Sequence, residues 1–270
     1  MGFFATSGVL NERGFFGEGF DPDALDYINR VETADGERLE PRVRTAINQF
    51  VLGCKADGIW TSLVTSCIMA GARTVAGAIT PLVGNAPTNN NFVAGDYSRT
   101  LGLLGNDTDK YLATGYNNND TTNFPQNDSH ISCYVSASQT DSGGVLVGGL
   151  SIAGNRLSLH YISSTQIAGR NRGSASSTFT VAPIGFQGSS RNNSANYTRR
   201  YTTSAGITEI LVASTSGLPN TDLFGVFASG SPSLFSSARM SFYSIGKSLT
   251  IASLDSRVTT LMTTLARVIS

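Results

Sequence analysis

Charge is what this sequence has least of. Its 270 residues carry 19 Lys+Arg, 19 Asp+Glu and two histidines, so 14% of the chain is charged, against roughly a quarter in ordinary soluble domains. Few ionisable side chains leave few acids and bases for proton transfer. A formal charge of zero and a pI near 6.7 argue against a basic face able to displace counterions, so no nucleic-acid partner is expected. Cysteine is scarce as well. Cys54, Cys67 and Cys133 are too far apart for a CxxC pair, and their apolar neighbours predict buried thiols rather than a disulfide framework. Metal and redox motifs are missing, and no cofactor is indicated. Long apolar runs are missing too: the longest stretch, Cys67 to Gly84, is interrupted by Arg73 and Pro81 and predicts no membrane span. Met1-Gly2-Phe3-Phe4 lacks the positive charge that opens a secretory leader.

What fills the space is small and polar, with 29 glycines among abundant Asn, Ser and Thr. The charges that exist are unevenly spread: residues 1–60 hold ten acids and six basic residues, the remaining 210 nine and thirteen. Residues 1–20 form a unit of their own. Phe3, Phe4, Phe15, Phe16 and Phe20 are interleaved with Gly and follow no helical or strand period, so they cannot bury one another. This predicts an extended arm that docks these five side chains into other proteins of an assembly or into a symmetry mate.

Residues 21–65 read as a helical collar. Asp21-Pro22 supplies an N-cap and a first-turn proline for a helix to about Thr33, and Asp35-Gly36 turns the chain. Glu40-Pro41 opens a second helix with Val43, Ala46, Ile47, Phe50, Val51 and Cys54 at helical spacing, ended by Asp57-Gly58. A third, short helix is expected over Ile59, Trp60, Leu63 and Val64. From residue 66 the period becomes two. Ile131, Cys133, Val135 and Ala137 alternate with polar residues, as do Leu157, Leu159 and Tyr161, and further runs fall at 145–147, 178–181, 184–187, 196–201, 207–212, 223–228 and 240–245. Asn-rich loops at 89–91, 117–119 and 192–193 separate them. About twelve strands in this span predict a mainly β chain, a jelly-roll sandwich over 66–270. It ends in a helix at 249–267 with an apolar stripe of Leu249, Ile251, Leu254, Val258, Leu261, Met262 and Leu265.

Catalysis finds little support in this inventory. Glycoside hydrolysis needs two carboxylates about 5–9 Å apart, yet the β region holds one glutamate, Glu209. Its only acids at strand spacing, Asp107 and Asp109, lie in the turn-like Gly105–Lys110 segment. That pair suits an Asx-turn or a rim Ca²⁺ contact, and Asn118 stands where an EF-hand loop would need its glutamate. No metal site and no catalytic residue are assigned. His130 and His160 have no Gly-x-Ser-x-Gly partner, and both fall opposite in parity to the apolar residues, which predicts that they face outward. Gly246-Lys247-Ser248 imitates the end of a phosphate loop, but Ser241 occupies the position of its first glycine.

The remaining signal is arginine, which outnumbers lysine sixteen to three. Arg170, Arg172, Arg191, Arg199 and Arg200 fall in or beside neighbouring loops, close in sequence to Asn192, Asn193, Tyr197 and Tyr201. Guanidinium forks, amides and an aromatic face together suit a shallow rim site for acidic sugars, and Tyr197 and Arg199 share a parity. The competing reading has the same arginines pinning loop carbonyls or a subunit contact.

Several longer motifs run through the chain. Tyr27-Ile28-Asn29-Arg30-Val31-Glu32, Ala34-Asp35-Gly36, Leu39-Glu40-Pro41 and Ala46-Ile47-Asn48 are followed by Gly53-Cys54-Lys55-Ala56-Asp57-Gly58-Ile59-Trp60, Ala86-Pro87-Thr88-Asn89 and Gly95-Asp96-Tyr97. Ala238-Arg239, Phe242-Tyr243-Ser244-Ile245-Gly246 and Leu254-Asp255-Ser256-Arg257-Val258 close the set. In these the chain resembles a family of tailed-phage and environmental viral structural proteins with a concanavalin A-like, laminin-G-like jelly roll, over roughly residues 21–267. The resemblance implies a virion protein assembled in the host cytoplasm, a homo-oligomer bound to other virion proteins through its arm. It leaves two roles open: a tail-fibre, baseplate or other adhesion component reading host-surface carbohydrate, or a capsid decoration or cement subunit with no ligand. It supplies no catalytic residues.

Overall fold

The computed structural model describes residues 19–137, 143–149, 156–173, 177–180, 184–201, 207–212 and 222–269. Phe3, Phe4, Phe15 and Phe16 of the expected docking arm lie outside the described residues. The helices are α1 (Pro22–Asp35), α2 (Pro41–Ala56), α3 (Val75–Ala78) and α4 (Ile251–Val268). The strands in chain order are β1 (Leu63–Ile68), β2 (Pro81–Val83), β3 (Thr88–Asn90), β4 (Tyr97–Ser98), β5 (Gly102–Leu104), β6 (Tyr111–Asn117), β7 (Ser129–Ala137) and β8 (Val145–Gly148). They continue with β9 (Arg156–Ser163), β10 (Gln166–Gly173), β11 (Ser177–Thr180), β12 (Gly185–Arg191), β13 (Asn196–Tyr201), β14 (Ile207–Val212), β15 (Leu223–Val226) and β16 (Arg239–Gly246).

Two antiparallel sheets form a sandwich. Sheet one runs β14-β13-β12-β7-β16-β1-β2 with the β4–β5 hairpin attached to β16, and sheet two runs β11-β10-β9-β8-β15-β6-β3. Strand parity divides sheet one cleanly. Cys67, Ile131, Cys133, Val135, Tyr243 and Ile245 point into the core shared with sheet two, where they join Leu157, Leu159, Tyr161 and Ile167. Ile68, Phe186 and Phe242 point the other way, into a second core built with α1, α2 and α4. Sheet one is therefore buried on both faces, and the molecule has three layers.

α1, α2 and α4 form where the sequence predicts, α1 running two residues longer and α4 starting two residues later, while the short α3 was not expected. Asp21 accepts from Asp23 N at 3.0 Å while Pro22 opens α1, and Gly36, at φ 69°, closes it. Phe50 of α2 meets Phe242 edge-on at 6.0 Å between ring centres. Asp35 reaches across to accept from Arg73 N, Thr74 N and Thr74 Oγ1, clasping the α1 turn to the start of α3. At the start of α2, Glu40 takes two hydrogen bonds from the Arg99 guanidinium at 3.0 and 2.8 Å, which hold its carboxyl down at about 2.

Three sequence expectations are corrected. The third helix is only a 3-10 turn at Trp60–Ser62, because Leu63 and Val64 belong to β1, where Leu63 pairs with Gly246 of β16 and Val64 falls at a bulge. Asn89 and Asn90, expected in a loop, form β3 at the edge of sheet two. Among the described residues sixteen strands replace the expected twelve, since pieces as short as β4 and a strand as poor in large apolar residues as β10 carry no periodic signal. The cysteines are buried thiols as expected, and burial pushes Cys54 and Cys67 up to about 12. No described helix is long and apolar enough to cross a membrane.

Candidate functional site

The arginine-rich rim site does not assemble as the spacing suggests. Tyr197 and Arg199 do share a face of β13, but it is the inner one. They are 3% and 2% exposed, and the Arg199 guanidinium lies 5.3 Å over the Tyr201 ring. Arg172 is fully buried at a left-handed position, φ 55°. It donates through Nη1 to the Asn118 carbonyl and through Nη2 to the Phe124 carbonyl, the latter at 2.6 Å, and burial pulls it down to about 10. Arg191 donates to the carbonyls of Asn171, Arg172, Asn193 and Ser194 at 2.6–3.2 Å. Asn193 folds its own turn, its Oδ1 accepting from Ala195 N and Asn196 N. Arg172, Arg191, Tyr197 and Arg199 are thus corrected from ligand-binding residues to internal struts, while Asn193 stays exposed in its turn. The rim reading failed because carbonyls left by irregular strand ends need donors, and five-donor guanidinium groups supply them.

Beneath these struts lies a polar layer between the sheets. Ser129 Oγ donates to Asn171 Oδ1 at 2.8 Å, while Asn171 Nδ2 donates to Ser129 O and Ser189 Oγ. This network fixes β10 against β7 and β12 and leaves the sandwich interior there filled by protein groups.

His130 is the other correction, whereas His160 faces outward as expected. His130 sits at 0% exposure, its Nδ1 2.6 Å from the Lys247 carbonyl and its Nε2 2.9 Å from Ser244 Oγ. Burial pushes the ring down to about 4. Its parity was read correctly, as pointing away from the sandwich core, but that side of sheet one is covered. His160 lies on the outer face of sheet two and is partly buried, and burial followed by the nearby Arg156 and Arg170 pushes it down to about 4. Arg170 stands on that outer face too, paired with Ser158. In the 105–110 turn, Asn106 Oδ1 accepts from Thr108, Asp109 and Lys110 amides, and the Asp109 carboxylate accepts from Asn91 and Asn106 side chains. That is the Asx-turn arrangement. Phe20, the one described residue of the arm's aromatic set, packs against the helical core under the Arg44 guanidinium at 5.5 Å.

Of the expected ligand residues, Asn192 does border a cleft. About 470 Å³ opens between the β12–β13 turn and the head of α4, lined by Ser190, Asn192, Thr198, Ser248, Thr250 and Ile251 among others. Ser190 Oγ accepts from Leu249 N at 3.0 Å, and Ser248 donates through N and Oγ to Asp128 Oδ1. Thr250 is the N-cap of α4 but makes no side-chain cap hydrogen bond, so the positive end of an 18-residue helix faces a wall of hydroxyls. Farther along, Arg200 pairs with the buried Asp255 of α4 at 2.7 Å and ties β13 to the helix. Thr198, Ser248 and Thr250 carried no sequence signal, because fifty residues separate the strand from the helix start.

No protein-family model and no curated protein matches the chain. Among solved structures it is similar to the botulinum neurotoxin serotype D binding domain, at 11% identity and a TM-score of 0.45 over 74% of this chain and 51% of that one. It is also similar to a Trypanosoma rangeli sialidase, at 13% identity and a TM-score of 0.42 over 75% of this chain and 33% of that one. A third match is the NanB sialidase from Streptococcus pneumoniae, at 13% identity and a TM-score of 0.36 over 48% of this chain and 23% of that one. The chain thus spans about half the length of these proteins or less. At this overlap the likenesses carry no argument, and the sandwich is established by the sheet pairings themselves.

Proposed function

We propose that this chain is a structural subunit of a tailed-phage virion that binds host-surface carbohydrate weakly in the cleft at the head of α4. The observation that carries the binding half is the lining of that cleft: hydroxyls from Ser190, Thr198, Ser248 and Thr250, the Asn192 amide, and the apolar Leu249 and Ile251. Sugars need hydroxyl and amide partners together with a patch for their C–H faces, and this opening offers both. Without an aromatic platform the affinity is expected near millimolar per copy, about 4 kcal/mol, and useful only when many copies act together.

The virion half rests on the family resemblance alone, carried by motif residues within 27–60, 86–97 and 238–258. The reading assigns no turnover.

Two measurements test it. Mass spectrometry of gradient-purified virions should find the chain in stoichiometric amount, and its absence there would remove the virion role. Thr198→Trp, which fills the cleft from its strand side, should leave assembly and melting temperature unchanged and reduce adsorption to host cells at least about tenfold. Normal adsorption by that variant would exclude the cleft as a glycan site and leave a decoration or cement subunit.

A further inference from the structure

Sheet two carries an unusual set of cations on the face turned away from sheet one. Leu157, Leu159 and Tyr161 of β9 point into the sandwich core, so the alternate residues Arg156, Ser158 and His160 share the opposite face. Arg170 of β10 is registered directly against Ser158, and Ala168 against His160. On the other side, β8 places Gly148 against Ser158. Directly paired residues have Cβ atoms about 5 Å apart and diagonal ones about 7–8 Å, so both guanidinium groups, the imidazole and the hydroxyl converge over one patch. The strand neighbours at Gly148 and Ala168 are too small to fill it.

Part of each group is withdrawn from water without being paired. The atoms Arg156 Nε, Ser158 Oγ, His160 Nδ1 and Arg170 Nε are buried and have no hydrogen-bond partner among the described residues; Ser158 as a whole is at 0% exposure, while Arg156, His160 and Arg170 are half-buried. Among the described residues no acid forms an ion pair with either arginine. After the larger effect of burial, Arg170 lowers Arg156 and both lower His160, while Arg170 itself is lowered by burial and partly raised by nearby Tyr197. Arg172 also has a buried Nε that makes no hydrogen bond, but both of its Nη groups donate to carbonyls, and Arg191 donates to four. Buried charges are ordinarily paired, and here the element missing from the protein's own groups is negative charge.

We propose that Arg156, Ser158, His160 and Arg170 form an oxyanion-binding site on the outer face of sheet two that takes a sulfate group. The guanidinium forks and the hydroxyl donate to its oxygens, and the imidazole N–H completes the set. One anion offsets the mutual repulsion of both arginines, which no single neutral partner could do. This site is separate from the α4 cleft and does not depend on the carbohydrate reading.

The two histidines make the test internal, because His130 lies on the helical side of sheet one and serves as the reference. In the full chain at pH 7, titration with sodium sulfate against sodium chloride of equal ionic strength should shift the His160 ring resonances saturably and leave those of His130 in place. The Arg156→Met/Arg170→Met variant should lose the shift. It should also melt at higher temperature than the native chain in chloride, because two unpaired like charges have left a desolvated face. Arg170→Gln alone should weaken the sulfate response about tenfold, which keeps the test decisive if the double variant does not fold. Absence of a saturable shift, equal movement of both histidines, or full retention of the response in these variants would overturn the site. Dextran sulfate, with neutral dextran as control, separates the sources of the anion. A matching His160 shift assigns the site to sulfate esters of a polysaccharide, and a shift with inorganic sulfate alone assigns it to the free ion.

Discussion

His130 shows how much one buried ring can set. Its ordinary value is near 6.5 and the folded protein holds it at about 4, because protonation would place a cation between sheet one and the Lys247 backbone. Above pH 6.5 the ring is neutral in both states and its contribution is fully present. As pH falls toward 4 the unfolded chain takes up the proton first, and stability is lost across that window, by about 3 kcal/mol for this group. Urea unfolding at pH 7 and pH 4 should therefore show a larger fall for the native protein than for His130→Gln. Equal falls would show that the ring is not held neutral by the fold. Only half of this was legible in the sequence. Parity gave the side of the strand, but which side would be covered depends on α4, more than a hundred residues away. The same limit applies to Asp35: Asp35-Gly36 reads as a turn, while its grip on Arg73 and Thr74 cannot be inferred from spacing.

At the scale of elements, amphipathic periodicity served well and its loss served badly. The spacing of α2 was enough to place Val43, Ala46, Ile47, Phe50, Val51 and Cys54 in a core, and all six are buried. A 16-residue helix is marginal on its own in water, so its stability comes from the face it presents to sheet one and α4. Phe50→Ala removes the ring that meets Phe242 and should cost about 3–5 kcal/mol, read as a shift in the denaturant midpoint at unchanged slope. A loss under about 1 kcal/mol would mean that the site collapses around the missing ring. β10 is the opposite case. Gln-Ile-Ala-Gly-Arg-Asn-Arg-Gly does not alternate, because its inward positions after Ile167 are a glycine and Asn171, and the asparagine is satisfied by hydroxyls from the other sheet. A strand that buries polar groups against polar groups leaves no hydrophobic trace. For this reason the candidate rim site was misplaced: the arginines were read as lying in or beside loops, whereas all of them sit within β10, β12 and β13.

For the whole molecule, the notable relation is between the three-layer body and the segment before it. Phe20 already belongs to the body through the helical core and Arg44, so a deletion that tests the arm stops short of it. Deleting residues 1–18 should leave the melting temperature within a few degrees of the full chain while abolishing incorporation into particles, if Phe3, Phe4, Phe15 and Phe16 are the docking groups. Wild-type occupancy by the truncated protein would assign attachment to the body. The fold class was legible from turn spacing and the switch from helical to strand period. The three-layer arrangement was not, because nothing local says that helices from both ends of the chain will meet on the same sheet.

The three thiols give the body a chemical property of its own. Cys54 lies in α2, Cys67 in β1 and Cys133 in β7, all sealed against the two faces of sheet one. At neutral pH a thiol held near 12 is ionised in only about one molecule in 10⁵, and the thiolate is the form that attacks disulfides and oxidants. The folded chain therefore keeps its thiols protonated and inert. Its sulfur chemistry stays silent in air or in a reducing cell alike, and it begins only where the layers part.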